Sequence, residues 1–141
     1  MNFQHSLIYA CAAMFLLTVF VSVRMYNKRV TEMKEKKIHP QSVADSVQVG
    51  AKLVTVHAAD NYKNLFEMPV LFYLLCVLVL QTGVADLALI LGVWLYVVLR
   101  YVHSYVHCTY NKVIHRFSAF VASGAVLFAL WLYFVFRIAM Q

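Results

Sequence analysis

The sequence predicts an all-α integral membrane protein, a four-helix bundle with both termini on the non-cytoplasmic side. Three observations support this fold class. Hydrophobic residues make up 63% of the 141 residues and charged residues only 13%. Four apolar runs can each reach the length of about 20 residues that a helix needs to cross a bilayer. Nearly all basic residues lie toward one side of the predicted spans. This composition excludes a disordered chain and argues against a soluble domain.

The apolar runs divide the chain, which we treat as one domain over residues 1–141, into four spans and their connections. The predicted spans are 6–26, 56–80, 85–108 and 114–138. The first run ends near Tyr26, and a charged loop follows from 27 to 50, where Pro40 and Gly50 indicate irregular backbone. The stretch "QTGVAD" predicts a tight outer turn, and "CTYNKVI" predicts an inner turn.

Basic residues predict the orientation of the spans. Of the twelve Lys and Arg residues, only Arg137 falls on the side opposite to the others. The positive-inside rule makes the basic side cytoplasmic. The net charge of +6 therefore indicates topology and contact with anionic lipid, and we expect no nucleic-acid partner. Short loops and the absence of a retention signal favour a bacterial inner membrane, or the endoplasmic reticulum membrane in a eukaryote.

A polar stripe enters the second span. Its members, His57, Asp60, Asn64 and Glu67, are spaced by 3, 4 and 3 residues and therefore share one helix face. The span reaches its full length only if it starts near Asn61, which places Glu67 inside the bilayer. An ionisable group at that depth costs about 2.5–3.5 kcal/mol unless it is paired or faces a wet cavity. We therefore expect Glu67 to face a cavity or a partner.

The third span carries a similar stripe at its cytoplasmic end. Tyr96, Arg100, His103 and His107 are spaced by 4, 3 and 4 residues, and Arg116 opens the fourth helix after the turn. We expect these cations to meet the carboxylate of the second span at one depth. Such pairing alone can hold helices together. Guanidinium groups also stabilise thiolates, and one charge-assisted hydrogen bond of about 1.5–3 kcal/mol raises the thiolate fraction roughly tenfold or more.

Two motifs, "NLFEMP" at 64–69 and "RYVHSYVH" at 100–107, followed by Arg116, carry a family resemblance that covers nearly the whole chain. On these motifs the chain is identified as a member of the MAPEG family, the membrane-associated proteins in eicosanoid and glutathione metabolism. It resembles members such as the microsomal glutathione transferases and prostaglandin E synthase. The resemblance implies a homotrimer with pockets between subunits that open to the cytoplasm. Glutathione would be the cosubstrate, and the other substrate would be a lipophilic small molecule.

The resemblance also implies roles for individual residues. It assigns glutathione binding to Asn64, Glu67, Arg100 and His103. Arg116 would be the catalytic residue that stabilises the thiolate, and Arg24 would lie near the reacting centre. Each of these assignments comes from the family pattern and not from spacing or composition.

Two positions depart from that family pattern. Asp60 stands where glutathione-binding members typically carry an arginine, and an acid there repels a glutathione carboxylate. His107 stands where a tyrosine is frequent. A histidine titrates near neutral pH, so His107 is also a candidate proton donor.

Three functions remain open on this sequence. The first is a membrane glutathione transferase or peroxidase that acts on lipophilic electrophiles or hydroperoxides. The second is a binding or scaffolding protein without glutathione chemistry, which Asp60 favours. The third is a metal-dependent enzyme, in which His103 and His107 would be completed by His57, Asp60, Glu67 or His115. Two histidines one turn apart are common in helices, so we predict no metal site.

Overall fold

The computed structural model describes residues 2–43, 53 and 56–140, and those residues form helices and short connections. The helices are α1 (Phe3–Glu35), α2 (Val56–Asn64), α3 (Met68–Thr82), α4 (Leu87–Cys108) and α5 (Val113–Ala139), with a 3₁₀ turn at Pro40–Val43. In this part of the chain, four segments are long and apolar enough to cross a membrane: Phe3–Glu35, Ala59–Thr82, Leu87–Cys108 and Val113–Ala139. The predicted all-α, four-span architecture is confirmed.

Helix α1 continues well beyond the apolar run that ends at Tyr26. Its 33 residues extend to Glu35, so the first part of the predicted 27–50 loop is helical instead. At 1.5 Å per residue α1 is about 50 Å long, against a bilayer core of about 30 Å. Good helix formers continue it until Lys37 adopts a left-handed backbone with φ of 51°. Residues 44–52, with the predicted break at Gly50, lie outside the described residues.

The second predicted span is two helices rather than one. Helix α2 ends at Asn64 and α3 begins at Met68, with Glu67 between them. Pro69 is in the first turn of α3. It has no backbone N–H to donate to Leu65, and its ring clashes with the carbonyl of that residue, so a continuous helix is disfavoured. The break places Glu67 at an irregular position instead of on a helix face.

Helix α1 lies alongside α4 and runs parallel to it. The indole Nε1 of Trp94 donates to the hydroxyl of Ser6 at 2.9 Å, and the hydroxyl of Tyr101 donates to the backbone carbonyl of Ala13 at 2.8 Å. Both partners advance by seven residues from the first bond to the second, as parallel helices require. Two hydrogen bonds inside the apolar layer thus set the register of these spans.

Helices α4 and α5 run antiparallel and approach closely at Gly92. A Cβ atom on Gly92 would lie 2.5 Å from Cδ2 of Leu130, so the absence of a side chain permits the contact. Small residues of this kind let membrane helices pack tightly. At the end of the second span, Gly83 closes α3 with a left-handed φ of 72°. Asp86 then caps α4, because its side chain accepts from the backbone N–H of Leu89.

The apolar core lies between the four spans, and apolar side chains also cover the outside. Phe72 of α3 stacks on Tyr96 of α4 with ring centroids 4.7 Å apart. Phe15, Leu132 and Phe136 are among many large apolar residues that are exposed on the single chain. In a bilayer such side chains meet hydrocarbon, so their exposure is expected of a membrane-spanning bundle.

Candidate functional site

One face of α4 is buried in the bundle and carries its polar side chains. Tyr96, Arg100, His103, Ser104 and His107 are all buried along this face. Their spacing follows the helical period, so they form a continuous polar column from the bilayer core to the predicted cytoplasmic end.

Arg100 is the most deeply buried cation of the described residues, with 0% exposure. Its Nε donates to the hydroxyl of Tyr96 at 3.1 Å. Its Cζ lies 5.5 Å from the ring centroid of Tyr96 and 5.2 Å from that of Phe120 on α5. Neither Nη1 nor Nη2 has a hydrogen-bond partner among the described residues. A desolvated guanidinium with two unused donor atoms attracts an anion strongly.

His103, His107 and Arg116 join α4 to the start of α5. The N–H at Nδ1 of His103 donates to the backbone carbonyl of Arg116 at 3.0 Å. Nη1 of Arg116 lies 3.3 Å from Nε2 of His107, and the two imidazole centroids are 5.8 Å apart. The structure therefore brings together these three predicted site residues and Arg100 at one end of the bundle.

Asn111 is a member of this cluster that the sequence analysis missed. Its Oδ1 accepts from Nη1 of Arg116 at 3.0 Å. Its backbone is left-handed, with φ of 47°, a conformation that asparagine tolerates better than most residues. An asparagine in the short turn between two spans was the available signal.

A second polar group lies between α1, α2 and α4. The guanidinium of Arg24 donates to the backbone carbonyl of Cys108. Asn61, with 0% exposure, accepts from the hydroxyl of Ser104 at 3.3 Å and donates to the thiol sulfur of Cys108 at 3.4 Å. Arg24 thus reaches the end of α4. The sequence analysis treated Asn61 only as the start of a span, because a lone amide carries no periodic signal.

The polar residues near the break in the second span are less enclosed than the buried polar column of α4. They are Asp60, Asn64 and Glu67. Glu67 is exposed on the single chain, and Asn64 and Asp60 are half-buried. Among the described residues, neither a hydrogen bond nor an ion pair joins Glu67 to Arg100. The expected meeting of these two side chains does not occur within one chain.

The metal-binding alternative lacks a third ligand in the described part of the chain. Residues 2–43, 53 and 56–140 contain no group of three or more His, Cys, Asp or Glu that could hold a metal ion. His103 uses Nδ1 for a backbone carbonyl, and Nε2 of His107 faces a guanidinium. The side chain of His57, one of the suggested ligands, lies outside the described residues.

Comparison with known proteins gives one match. The model of the MAPEG family matches residues 7–136, which include all of both motifs and most of each of the four spans. No curated protein and no solved structure matches the chain.

Proposed function

This chain belongs to the MAPEG family, and from that premise we propose that it is a membrane enzyme that activates the thiol of glutathione. The thiol would attack lipophilic electrophiles or hydroperoxides that reach the site through the bilayer. A free thiol is only a few per cent ionised at neutral pH. The essential contribution of the protein is therefore a cation placed where the thiolate forms.

The buried guanidinium of Arg100 is the observation that carries the proposal. Two of its nitrogen atoms are buried without a partner among the described residues, and burial of an unpaired charge costs several kcal/mol. A glutathione carboxylate would offset that cost by accepting two parallel hydrogen bonds. Arg100 is in this proposal the anchor of the peptide and not the group that acts on sulfur.

Arg116 is suited to act on sulfur because its guanidinium is held in place and only half-buried. Asn111 and His107 both contact Nη1. A guanidinium has five N–H donors, so donors remain for a thiolate. A hydrogen bond from a charged donor contributes about 1.5–3 kcal/mol, which is enough to raise the thiolate fraction at least tenfold.

The exposed position of Glu67 supports a site that is completed between copies of the chain. Among the described residues, no hydrogen bond or ion pair joins Glu67 or Asn64 to the buried polar side chains of α4, and Glu67 is exposed. In a homotrimer, a neighbouring copy would cover Glu67 and enclose glutathione between the subunits. The lipophilic substrate would then enter from the bilayer side of the same interface.

The test is glutathione conjugation by Arg116→Ala in detergent micelles, with a lipophilic aryl halide as the electrophile. The matched control is Lys112→Ala, which removes an exposed cation four residues away whose side chain makes no capping hydrogen bond. Loss of the thiolate contact predicts that kcat/KM falls by about 10- to 150-fold in Arg116→Ala and stays near wild type in the control. Equal turnover of the two variants would show that Arg116 does not act on the thiol.

Asp60 supports a second candidate, a binding or scaffolding protein that does not use glutathione. Asp60 is half-buried on the polar face of α2, where a carboxylate repels the carboxylates of glutathione. Isothermal titration separates the two candidates. Saturable binding at millimolar glutathione supports the enzyme, and its absence together with an intact assembly supports the binding protein.

A further inference from the structure

Tyr96 and Arg100 lie one turn apart on the buried face of α4, both with 0% exposure. Nε of Arg100 donates to the hydroxyl of Tyr96 at 3.1 Å. In the described part of the chain, Nη1 and Nη2 of the same guanidinium have no hydrogen-bond partner. The hydroxyl of Tyr96 therefore occupies one specific donor of Arg100 and leaves the two terminal nitrogen atoms for another acceptor.

Aromatic rings from three helices hold this pair in place. The ring of Tyr96 stacks on Phe72 of α3, with centroids 4.7 Å apart and ring planes at 16°. Cζ of Arg100 lies 5.5 Å from the ring centroid of Tyr96 and 5.2 Å from that of Phe120 on α5. A cation within about 6 Å of a ring centroid is attracted to the face of the ring. Packing of α3 and α5 on α4 thus sets the position of both the hydroxyl and the guanidinium.

The bond at Nε decides which edge of the guanidinium can receive a ligand. A planar guanidinium offers a carboxylate two parallel N–H bonds, either from Nε and one terminal nitrogen or from Nη1 and Nη2. Because Tyr96 occupies the N–H at Nε, only the edge formed by Nη1 and Nη2 remains. A carboxylate matches this edge, since its two oxygen atoms both accept. An amide has one acceptor and one donor, and its donor would face a second donor.

We infer that Tyr96 is a positioning residue for glutathione binding, which presents the Nη1 and Nη2 edge of Arg100 to a carboxylate of the peptide. The inference rests on the proposed function, in which Arg100 anchors glutathione, and adds to it a residue and a bonding geometry. Tyr96 acts through Arg100 and does not itself bind the peptide. Because its hydroxyl orders the guanidinium before the ligand arrives, binding does not have to immobilise that side chain.

Tyr96→Phe tests the inference in the whole protein in detergent micelles, because it removes the hydroxyl and keeps the ring that stacks on Phe72. The guanidinium then has to be ordered on binding, which for one such side chain corresponds to roughly 2- to 12-fold weaker binding. We expect KM for glutathione to rise by this factor while kcat stays near wild type, because Arg116 and not Arg100 acts on the sulfur. Isothermal titration should show the same change in Kd. An unchanged KM and Kd, or a loss confined to kcat, would overturn the inference.

Tyr101→Phe is the matched control for that variant. It removes a hydroxyl from the same helix, which donates to the backbone carbonyl of Ala13 at 2.8 Å and belongs to the contact between α1 and α4. We expect this control to melt at a lower temperature and to keep KM and Kd near wild type. An equal loss of affinity in both variants would show that weakened helix packing, and not the orientation of Arg100, explains the effect of Tyr96→Phe.

A double-mutant cycle in the absence of ligand tests whether Tyr96 acts through Arg100. In the wild-type background, Tyr96→Phe leaves one more donor of a buried guanidinium without an acceptor, so we expect the melting temperature to fall. In the Arg100→Met background the partner of the hydroxyl is already absent, so the same substitution should not lower the melting temperature. Equal decreases in the two backgrounds would show that the two side chains are not coupled and would overturn the inference.

The cycle needs no glutathione, so it separates this inference from the proposed function. Wild-type protein that binds no glutathione would contradict the proposed function and, with it, the role of Tyr96 in binding the peptide. Coupled melting temperatures would in that case still assign Tyr96 as the residue that orients Arg100. Glutathione binding by the wild type together with uncoupled melting temperatures would overturn the inference alone.

Discussion

Nη1 of Arg116 lies 3.3 Å from Nε2 of His107, across the turn that joins the last two spans. Since a guanidinium only donates, this contact requires His107 to accept at Nε2 and therefore to be neutral. The imidazole thus positions Arg116 as long as it stays unprotonated. This contact joins His107 to another side chain, and the proton-donor role that its sequence position allows stays a prediction.

Asn111 offers a test of how strongly the position of Arg116 matters. Asn111→Gly removes the acceptor for Nη1 and suits the φ of 47°. We expect kcat for conjugation to fall about tenfold or more, because a hydrogen bond to a charged group worth about 1.5–3 kcal/mol is lost. The melting temperature should stay within a few degrees of wild type.

Asn111→Ala is the comparison for that experiment. It loses the same acceptor and also places a Cβ on a left-handed backbone, which costs about 1–2 kcal/mol. We expect a similar loss of kcat together with a lower melting temperature. If Asn111→Gly keeps full activity, the contact with Arg116 is incidental.

We expect replacement of Arg100 to raise the stability of the protein and to weaken glutathione binding. Arg100→Met keeps a long unbranched side chain and removes a buried charge that is incompletely paired among the described residues. Because burial of such a charge costs several kcal/mol, we expect the ligand-free variant to unfold at a higher temperature than wild type. Glutathione should raise the melting temperature of wild type and leave that of Arg100→Met unchanged. A variant that is less stable and still responds to glutathione would contradict the anchor role.

We expect replacement of Asp60 by arginine to tighten glutathione binding. Asp60→Arg replaces a repelling carboxylate by a guanidinium, and one charge-assisted hydrogen bond of about 1.5–3 kcal/mol corresponds to roughly 10- to 100-fold tighter glutathione binding. Asp60→Asn, which only removes the charge, is the control and should give a smaller gain. Isothermal titration of both variants measures the difference. Identical affinities would mean that position 60 does not face the peptide.

Asp86 predicts a stability effect at the other end of the bundle. Its Oδ1 accepts from the N–H of Leu89 at 2.8 Å, and its Oδ2 accepts from the hydroxyl of Tyr133 at 2.6 Å and from Arg137. Asp86→Ala loses a cap of about 1 kcal/mol and a charged hydrogen bond of about 1.5 kcal/mol. We expect a clear drop in melting temperature, followed by circular dichroism in micelles.

Asp86→Asn separates the two contributions. Asparagine is as good a cap as aspartate, but its amide nitrogen cannot accept the bonds that Tyr133 and Arg137 donate to Oδ2. This variant should therefore keep the cap, lose the Oδ2 contacts and melt between wild type and Asp86→Ala. Conjugation should change little in both variants, since Asp86 is far from the candidate site. A melting temperature of Asp86→Asn equal to that of Asp86→Ala would show that the cap contributes nothing.

The sequence predicted the spans because bilayer thickness sets a length that apolar runs reveal directly. The predicted ends of the last three spans are residues 80, 108 and 138. They lie within two residues of the observed helix ends, Thr82, Cys108 and Ala139. The sequence analysis missed two helix boundaries, because these boundaries depend on features other than hydropathy. Charged residues continue α1 to Glu35, and Pro69 divides the second span.

Helical spacing by itself placed Arg100, His103 and His107 on one face, because side chains three and four residues apart align on any helix. Only the tertiary structure decided what that face meets. Packing of α5 against α4 put Phe120 over Arg100 and brought the side chain of Arg116 to His107. These contacts depend on how helices rotate about their axes in the bundle, which composition and period within a single span do not specify.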